Sequence, residues 1–408
     1  GAWNAHEEKF FSNLTSVLSH FTLKASYSLT ADRGPADVTN SQAIITSYSP
    51  YRPFTSIQES GLYIKELENS ELTYEKKHEL NIGADMGFLN NRINLAVDWY
   101  KRNNYDLIGI VNTQGAGGQI LKYANIASMK SHGIEFTLST KNIKTKDFNW
   151  NTDFIFSNAK NEVTDLKQNA NVMELISGNG FAKQGYPVRG LFSIPFVGLD
   201  KDGIPVIINE KGEATSTDIN FQERQNTGFL KYEGPTDPTI TGSLGNMFSY
   251  KGFRLNLFIT YSFGNVIRLN PVFKAYYSDL TAMTREFKNR WTLPGDEAKT
   301  NVPAILSKRM YDSNEDLKYA YNAYNYSTER IAKGDFIRLK EISLAYDFPK
   351  AWINPLKLTD LSLKVQATNL FLIYADDKLN GQDPEFFNAG GVASPVPRQF
   401  TITLRLGL

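Results

Sequence analysis

The sequence predicts an all-β fold, an antiparallel β-barrel that crosses a membrane with its strands. Three features predict it: long segments that alternate strictly between apolar and polar residues, tight turns that alternate with very long connections, and charge kept off one face of each hairpin. The clearest case runs from Glu79 to Arg102. Leu80, Ile82, Ala84, Met86 and Phe88 share one face of the first arm, while Glu79, Asn81, Gly83, Asp85 and Gly87 share the other. In the second arm Ile93, Leu95, Val97 and Trp99 oppose Arg92, Asn94, Asp98, Tyr100 and Arg102, with the small Ala96 on the polar side. A two-residue turn at Asn90-Asn91 would pair Phe88 with Ile93 and Met86 with Leu95, placing both apolar sets on one side. Each arm has about ten residues, roughly what a tilted strand needs to cross a bilayer.

The same pattern recurs along the chain. Phe21 to Thr30 alternates, as does the segment carrying Ile134, Phe136 and Leu138, and so does Phe148 to Ser157 with Trp150, Phe154 and Phe156. Tyr105 to Thr113 reads as a separate strand-like piece. A second hairpin spans Ile240 to Phe263, its turn at Lys251-Gly252 pairing Tyr250 with Phe253 and Phe248 with Leu255. Ile342, Leu344, Tyr346 and Phe348 form a further face, followed by Leu361, Leu363, Val365 and Ala367, and last by Phe400, Ile402, Leu404, Leu406 and Leu408. Ten strands are clear, with about two more expected inside the connections. Long connections fall near 31–78, 158–238, 264–333 and 372–399, and the region from Asn158 to Asp237 reads as irregular. Short turns on one side and long loops on the other are the habit of transmembrane barrels. The alternative is a soluble β-sandwich, but its strands are shorter and connections of this length are uncommon in compact soluble domains.

Composition agrees. Aromatic residues reach 13% while hydrophobic residues total only 41% of the 408, and mean hydropathy is −0.36. No apolar run approaches the ~18 residues of a transmembrane helix. A net charge of +1 argues against a nucleic-acid partner. The opening residues GAWNAHEEKFF have no basic segment followed by an apolar one, so no signal peptide is expected within them.

The residues for catalysis are sparse. Cysteine is absent, and the four histidines, His6, His20, His78 and His132, have no metal-ligand spacing among them. Gly115, Gly117 and Gly118 lack the Lys-Ser or Lys-Thr of a phosphate loop. Asp312, Asn314 and Asp316 begin like a calcium loop, which fails at Leu317 and Ala323 where glycine and glutamate are needed. Neither an enzyme, a cofactor nor a metal is expected.

Several stretches together resemble a known family. LTYEKKHELNIGADMGFLNNRINLAVDWYKRNNYDLI (Leu72 to Ile108), NIASMKSHGIEFTL (Asn125 to Leu138), NRWTLPGD (Asn289 to Asp296), GDFIRLKEISLAYDFPKAWI (Gly334 to Ile353), ATNLF (Ala367 to Phe371), QDPE (Gln382 to Glu385) and PVPRQFTITLRL (Pro395 to Leu406) resemble, in order, the C-terminal barrel half of SusC/RagA-like TonB-dependent transporters. The resemblance implies a plugged barrel of about 22 strands, multi-pass in the outer membrane of a Gram-negative cell. It also implies TonB-dependent import of oligosaccharides or oligopeptides beneath a SusD-like surface lipoprotein, with an N-terminal plug and barrel part. No plug or TonB box is recognisable in these residues, so this sequence is expected to be the C-terminal segment. Phe400, Ile402, Leu404, Leu406 and Leu408 match the family's assembly signal, except that such barrels commonly end in an aromatic residue rather than leucine.

For ligand contacts the candidates are aromatic residues on long loops, because sugar rings and peptide side chains both pack on aromatic faces. Tyr319, Tyr321, Tyr324 and Tyr326 form the densest cluster, and Tyr276 and Tyr277 the second. A membrane-interface girdle, or loop packing against a lid, is the other role open to them. Trp99, Trp150 and Phe156 read as girdle or lipid-facing residues. Two other functions remain open: a passive porin, and a soluble carbohydrate-binding β-sandwich.

Overall fold

Backbone amides inside hydrocarbon have no water to bond, so a strand there must find partners on both sides. The computed structural model describes residues 1–34, 42–50, 59–115, 120–272, 283–314, 316–387 and 395–408. Its main sheet has eleven strands: β1 (Ala2–Asn4), β2 (Leu18–Asp32), β3 (Glu75–Phe88), β4 (Ile93–Asn112), β5 (Leu121–Lys144), β6 (Phe148–Leu166), β7 (Ile240–Tyr250), β8 (Phe253–Phe263), β9 (Phe336–Asp347), β10 (Asp360–Ala375) and β11 (Gln399–Gly407). Each lies antiparallel beside its successor. Connections therefore alternate between the two ends of the sheet. One end carries 89–92, 145–147, 251–252 and 348–359; the other carries 33–74, 113–120, 167–239, 264–335 and 376–398. A sandwich would divide these strands between two packed sheets, and here a single sheet holds them all.

Register builds two chemically opposite faces. Residues directly opposite on antiparallel neighbours share a face, so Leu23, Ala84, Val97, Phe136 and Phe156 form one apolar row across five strands. Phe248, Leu255, Leu344, Val365 and Ile402 form another. These side chains are not buried by the rest of the protein: even on strands with neighbours on both sides, Leu344 and Val365 are each 47% exposed. An apolar face this extended does not belong in water, and lipid is the solvent it matches. Asn246, a polar residue on this face, is satisfied locally. Asn246 Oδ1 accepts from Trp150 Nε1 at 2.9 Å and from Thr152 Oγ1 at 2.7 Å. On the inward face the rows are polar, as in Lys24, Gly83, Asp98 and Glu135.

Three details differ from the sequence expectation. The β3–β4 connection uses Leu89 to Arg92, not two residues, because Leu89, Asn90 and Asn91 are consecutively left-handed at φ 51°, 56° and 58°. The expected pairing of Phe88 with Ile93 and Met86 with Leu95 is kept. The piece from Tyr105 onward is the continuation of β4, separated from its regular part by a register shift around Asp106, which has φ 58°. Finally, 158–238 is ordered: Gly190–Ser193 pairs with Lys231–Pro235, Phe196–Leu199, Pro205–Ile208 and Ala214–Thr215 make a three-stranded sheet, and Val172–Ile176 is helical. The helix starts with a capping box between Asn171 and Glu174, which satisfies amide groups that would otherwise be orphaned. At Lys251-Gly252, with φ 43° and 90°, the two-residue turn is as expected.

The face assignment makes a mutational contrast. Leu257 lies on the outward face between Asn246 and Ile342, whereas Asn256 lies inward and donates to Glu341 at 3.5 Å. Leu257→Arg should destabilise the inserted barrel by ~2–4 kcal/mol at mid-membrane, lowering its yield in outer-membrane fractions, while Asn256→Arg should insert at the wild-type level. Equal yields from the two variants would refute the assignment.

Candidate functional site

The inward wall is built to carry charge in water. Lys24 bonds Asp85 at 2.7 Å, and Glu79 accepts from Lys77 at 3.1 Å and Arg102 at 3.0 Å. Arg102 also lies over the Tyr100 ring at 4.3 Å, and Arg254 bonds Asp347 at 2.9 Å. Gly133 leaves room for Tyr100 on this wall, since a Cβ there would come within 2.6 Å of the tyrosine ring. Such a surface suits a solvated passage or a polar filling domain.

At the long-connection end the loops make a body with its own core. Val172, Leu175 and Ile176 pack with Phe192, Ile194, Ile207 and Ala323. The helix Leu317–Asn325 buries Leu317, Ala320, Tyr321 and Tyr324 at helical spacing, with Ala323 and Asn325 beside them. Two buried arginines join the pieces. Arg268 donates to the carbonyls of Ser327 at 3.0 Å and Phe192 at 2.6 Å and to Ser193 Oγ at 3.2 Å. Burial lowers its guanidinium to about 9, against which the Glu233 carboxylate pulls upward. Arg330, 1% exposed, donates to Asn270 O and to Glu286 Oε1, both at 2.7 Å. A buried cation without such partners would be costly, so each arginine holds its loops in one arrangement.

A third arginine ties this end to the wall itself. Along β9 the partners on β8 jump from Glu341 to Leu339, leaving Lys340 as the extra residue of a bulge. A bulge re-aims the residues beyond it. Arg338, opposite Thr260, therefore shares the inward face with Glu341, opposite Phe258. There it meets both oxygens of Asp383 at 2.5 and 2.6 Å and Glu385 at 3.2 Å. Asp383 also accepts from the Glu385 amide, capping the short turn Pro384–Phe386. Two of the segments quoted above, GDFIRLKEISLAYDFPKAWI and QDPE, thus meet in one salt bridge. Beside it opens a cavity of about 750 Å³ lined by Arg338, Asn270, Asn369, Gln382 and Arg398.

The sequence-selected tyrosines separate into two groups. Tyr321 and Tyr324 are enclosed: Tyr321 donates to Ala304 O at 3.0 Å, and Tyr324 packs edge-on against Phe196 at 5.4 Å. Both rings are packed within the loops themselves. Tyr326 is half-buried against the loop core under Arg268, and Tyr319 alone of the four offers an exposed ring. Tyr276 and Tyr277 lie outside the described residues, as do Gly117 and Gly118. Phe400, Ile402, Leu404 and Leu406 stand on β11, at the sheet edge, and Leu408 follows it. Sequence reasoning did not single out Arg268, Arg330, Arg338 or Asp383. Their partners lie tens of residues away, and only the helical spacing of Leu317, Ala320, Tyr321 and Tyr324 was readable in advance.

A sheet with a lipid face, a watered face and ordered loops at one end defines part of a membrane-spanning antiparallel barrel. In sequence and fold the chain is SusC/RagA-like over nearly its whole length. It is 25% identical over 94% of its length to TonB-dependent receptor P3 of Formosa agariphila, and 26% identical over 100% to TonB-dependent receptor SusC of Bacteroides thetaiotaomicron. It spans 37% and 39% of those relatives. No family model matches the chain. Among solved structures it resembles one described as the RagAB peptide transporter, with TM-score 0.75 and 24% identity over 100% of this chain and 42% of that one. The same importer in an open-open state gives TM-score 0.76 at 23% identity. At that identity the likeness establishes the fold.

Removing Arg338 should release the last connection. Arg338→Met leaves Asp383 with little solvent and no counter-charge, a loss of about 3–5 kcal/mol for a buried pair. Trypsin should then cut after the exposed Lys378 faster than in the wild type, in otherwise intact barrels. An unchanged cleavage rate would mean that the salt bridge does not hold this segment.

Proposed function

We propose that this chain supplies wall, lumen surface and external loops to a TonB-dependent importer of the outer membrane, acting by binding and gated passage without bond chemistry. The observation that carries the reading is the similarity to TonB-dependent receptors along almost every residue of the chain, on a sheet with one face for lipid and one for water. In this reading the connections near 31–78, 158–238, 264–333 and 372–399 face the cell exterior. A plug and the remaining barrel strands complete the transporter, TonB supplies the energy, and a SusD-like lipoprotein closes over the loops.

The cargo is an oligosaccharide or an oligopeptide. Similar solved structures described as a peptide transporter and importer support the peptide. Tyr319 can stack on either. Tyr276 and Tyr277 remain candidates with it, while Tyr326 would contribute its exposed edge. Phe400 to Leu408 would serve as the strand read by the barrel-insertion machinery.

The test is uptake of labelled oligopeptides and oligosaccharides by cells carrying the transporter, with and without a working TonB system. Uptake of one class should fall to background when TonB is lost, and Tyr319→Ala should weaken its binding by about 1 kcal/mol or less for one exposed ring. Uptake that persists without TonB would point to a passive porin and overturn the proposal.

A further inference from the structure

Lys101, His132 and Lys160 line up on the outward face just beyond the apolar belt, so the charge-free face expected of the first hairpin ends at Trp99. Register places Lys101 opposite His132 and His132 opposite Lys160, on three adjacent strands. All three are exposed. The row continues to Leu80 and Tyr27, and the row before it is Ala25, Ile82, Trp99 and Ile134. From Ile93 at the short-turn end, Lys101 is roughly 26 Å along the strand. With the usual tilt of barrel strands this is a height of about 20 Å, so the Lys101 backbone lies about 5 Å short of the far border of an apolar band ~25 Å tall, a gap its stem can span. It is thus a border position on the long-loop side.

Lys101 and Lys160 stand on either side of His132, one strand apart, and their like charges repel across it. Among the described residues, neither Lys101 nor Lys160 has an acidic partner. The nearby outward acid, Glu162, is taken by Lys130 at 3.0 Å, and Lys76 one strand away is taken by Asp106 at 2.7 Å. Other lysines around the row are neutralised within the protein, while those in the row are not. What would offset them is an anion held at the membrane border. Lysine stems can lie along the apolar belt and bring their ammonium groups to that border.

We propose that Lys101, His132 and Lys160 form a docking strip for the phosphorylated headgroup of an outer-leaflet glycolipid. Neighbouring strands stand about 4.8 Å apart, so the two lysines can approach one phosphate group from either side. The acyl chains then lie over Ile82, Trp99 and Ile134. The inference rests on the reading that the long-loop end faces outward, and it adds a fixed lipid at this side of the wall.

The test uses the transporter extracted in mild detergent from its own outer membranes, with bound phosphorylated glycolipid counted by native mass spectrometry. Replacing two surface cations, Lys101→Gln with Lys160→Gln, should lower glycolipid retention by roughly tenfold. Lys101→Arg with Lys160→Arg should retain it near the wild-type level. Equal retention in the glutamine variant and wild type would overturn the proposal, as would equal loss in the arginine variant. A glutamine variant that keeps glycolipid but no longer binds added inorganic phosphate would make the strip a free-anion site and overturn the headgroup assignment. Wild-type protein absent from the outer-membrane fraction would contradict the barrel reading itself, before any lipid is counted.

Discussion

The interaction on which everything else depends is the antiparallel hydrogen-bond ladder, one strand to the next. It satisfies the backbone where lipid cannot, and through its register it sends alternate side chains into two different solvents. Slipping one strand by a single residue would turn Val97 inward and Asp98 toward lipid. The penalty for burying charge there makes the register steep. Trp99 against Ile134 and Asp98 against Glu135 are two consequences of one pairing. The like-charged pair on the inner wall is tolerable because water or a facing domain can screen it.

Beyond the membrane the constraint changes. The described parts of 167–239 and 264–335 lie off the main ladder, and beyond their short strand pairs they bury a small core and fix it with arginine. Arg268 bonds three groups on two segments, and Arg330 bridges Asn270 and Glu286. Guanidinium groups suit this work because their donors fan out in a plane and reach several carbonyls at once. Arg338 performs the same task at the wall, where the bulge at Lys340 turns it inward to Asp383. The last connection is thereby tied to the wall.

How much of this was legible follows the same division. The hairpins Glu79 to Arg102 and Ile240 to Phe263 were readable with their pairing, because a period of two states both the conformation and the face. The turn at Leu89 to Arg92 was not, since four residues and three left-handed conformations produce the same pairing that a shorter turn was expected to give. The loop body was largely illegible because its contacts join distant segments: nothing near Arg268 in the sequence announces Phe192 or Ser327. The tyrosine-rich helix held a readable signal, as Leu317, Ala320, Tyr321 and Tyr324 recur at helical spacing, but the density of aromatic rings drew attention to ligand stacking instead. The bulge that re-aims Arg338 has no composition of its own, which is why the bridge to Asp383 emerges only from register.

The central claim is that odd positions from Ile93 to Trp99 meet lipid and even ones meet water. These 408 residues have no cysteine, so single cysteines at each position can carry a spin label with no background from this chain. Collision of the label with molecular oxygen, which concentrates in hydrocarbon, and with a water-soluble nickel chelate should then be measured in outer-membrane vesicles. The account predicts a strict alternation, with positions 93, 95, 97 and 99 favouring oxygen and 94, 96 and 98 favouring the chelate. Absence of alternation, or odd positions shielded from both reagents as in a soluble core, would contradict it.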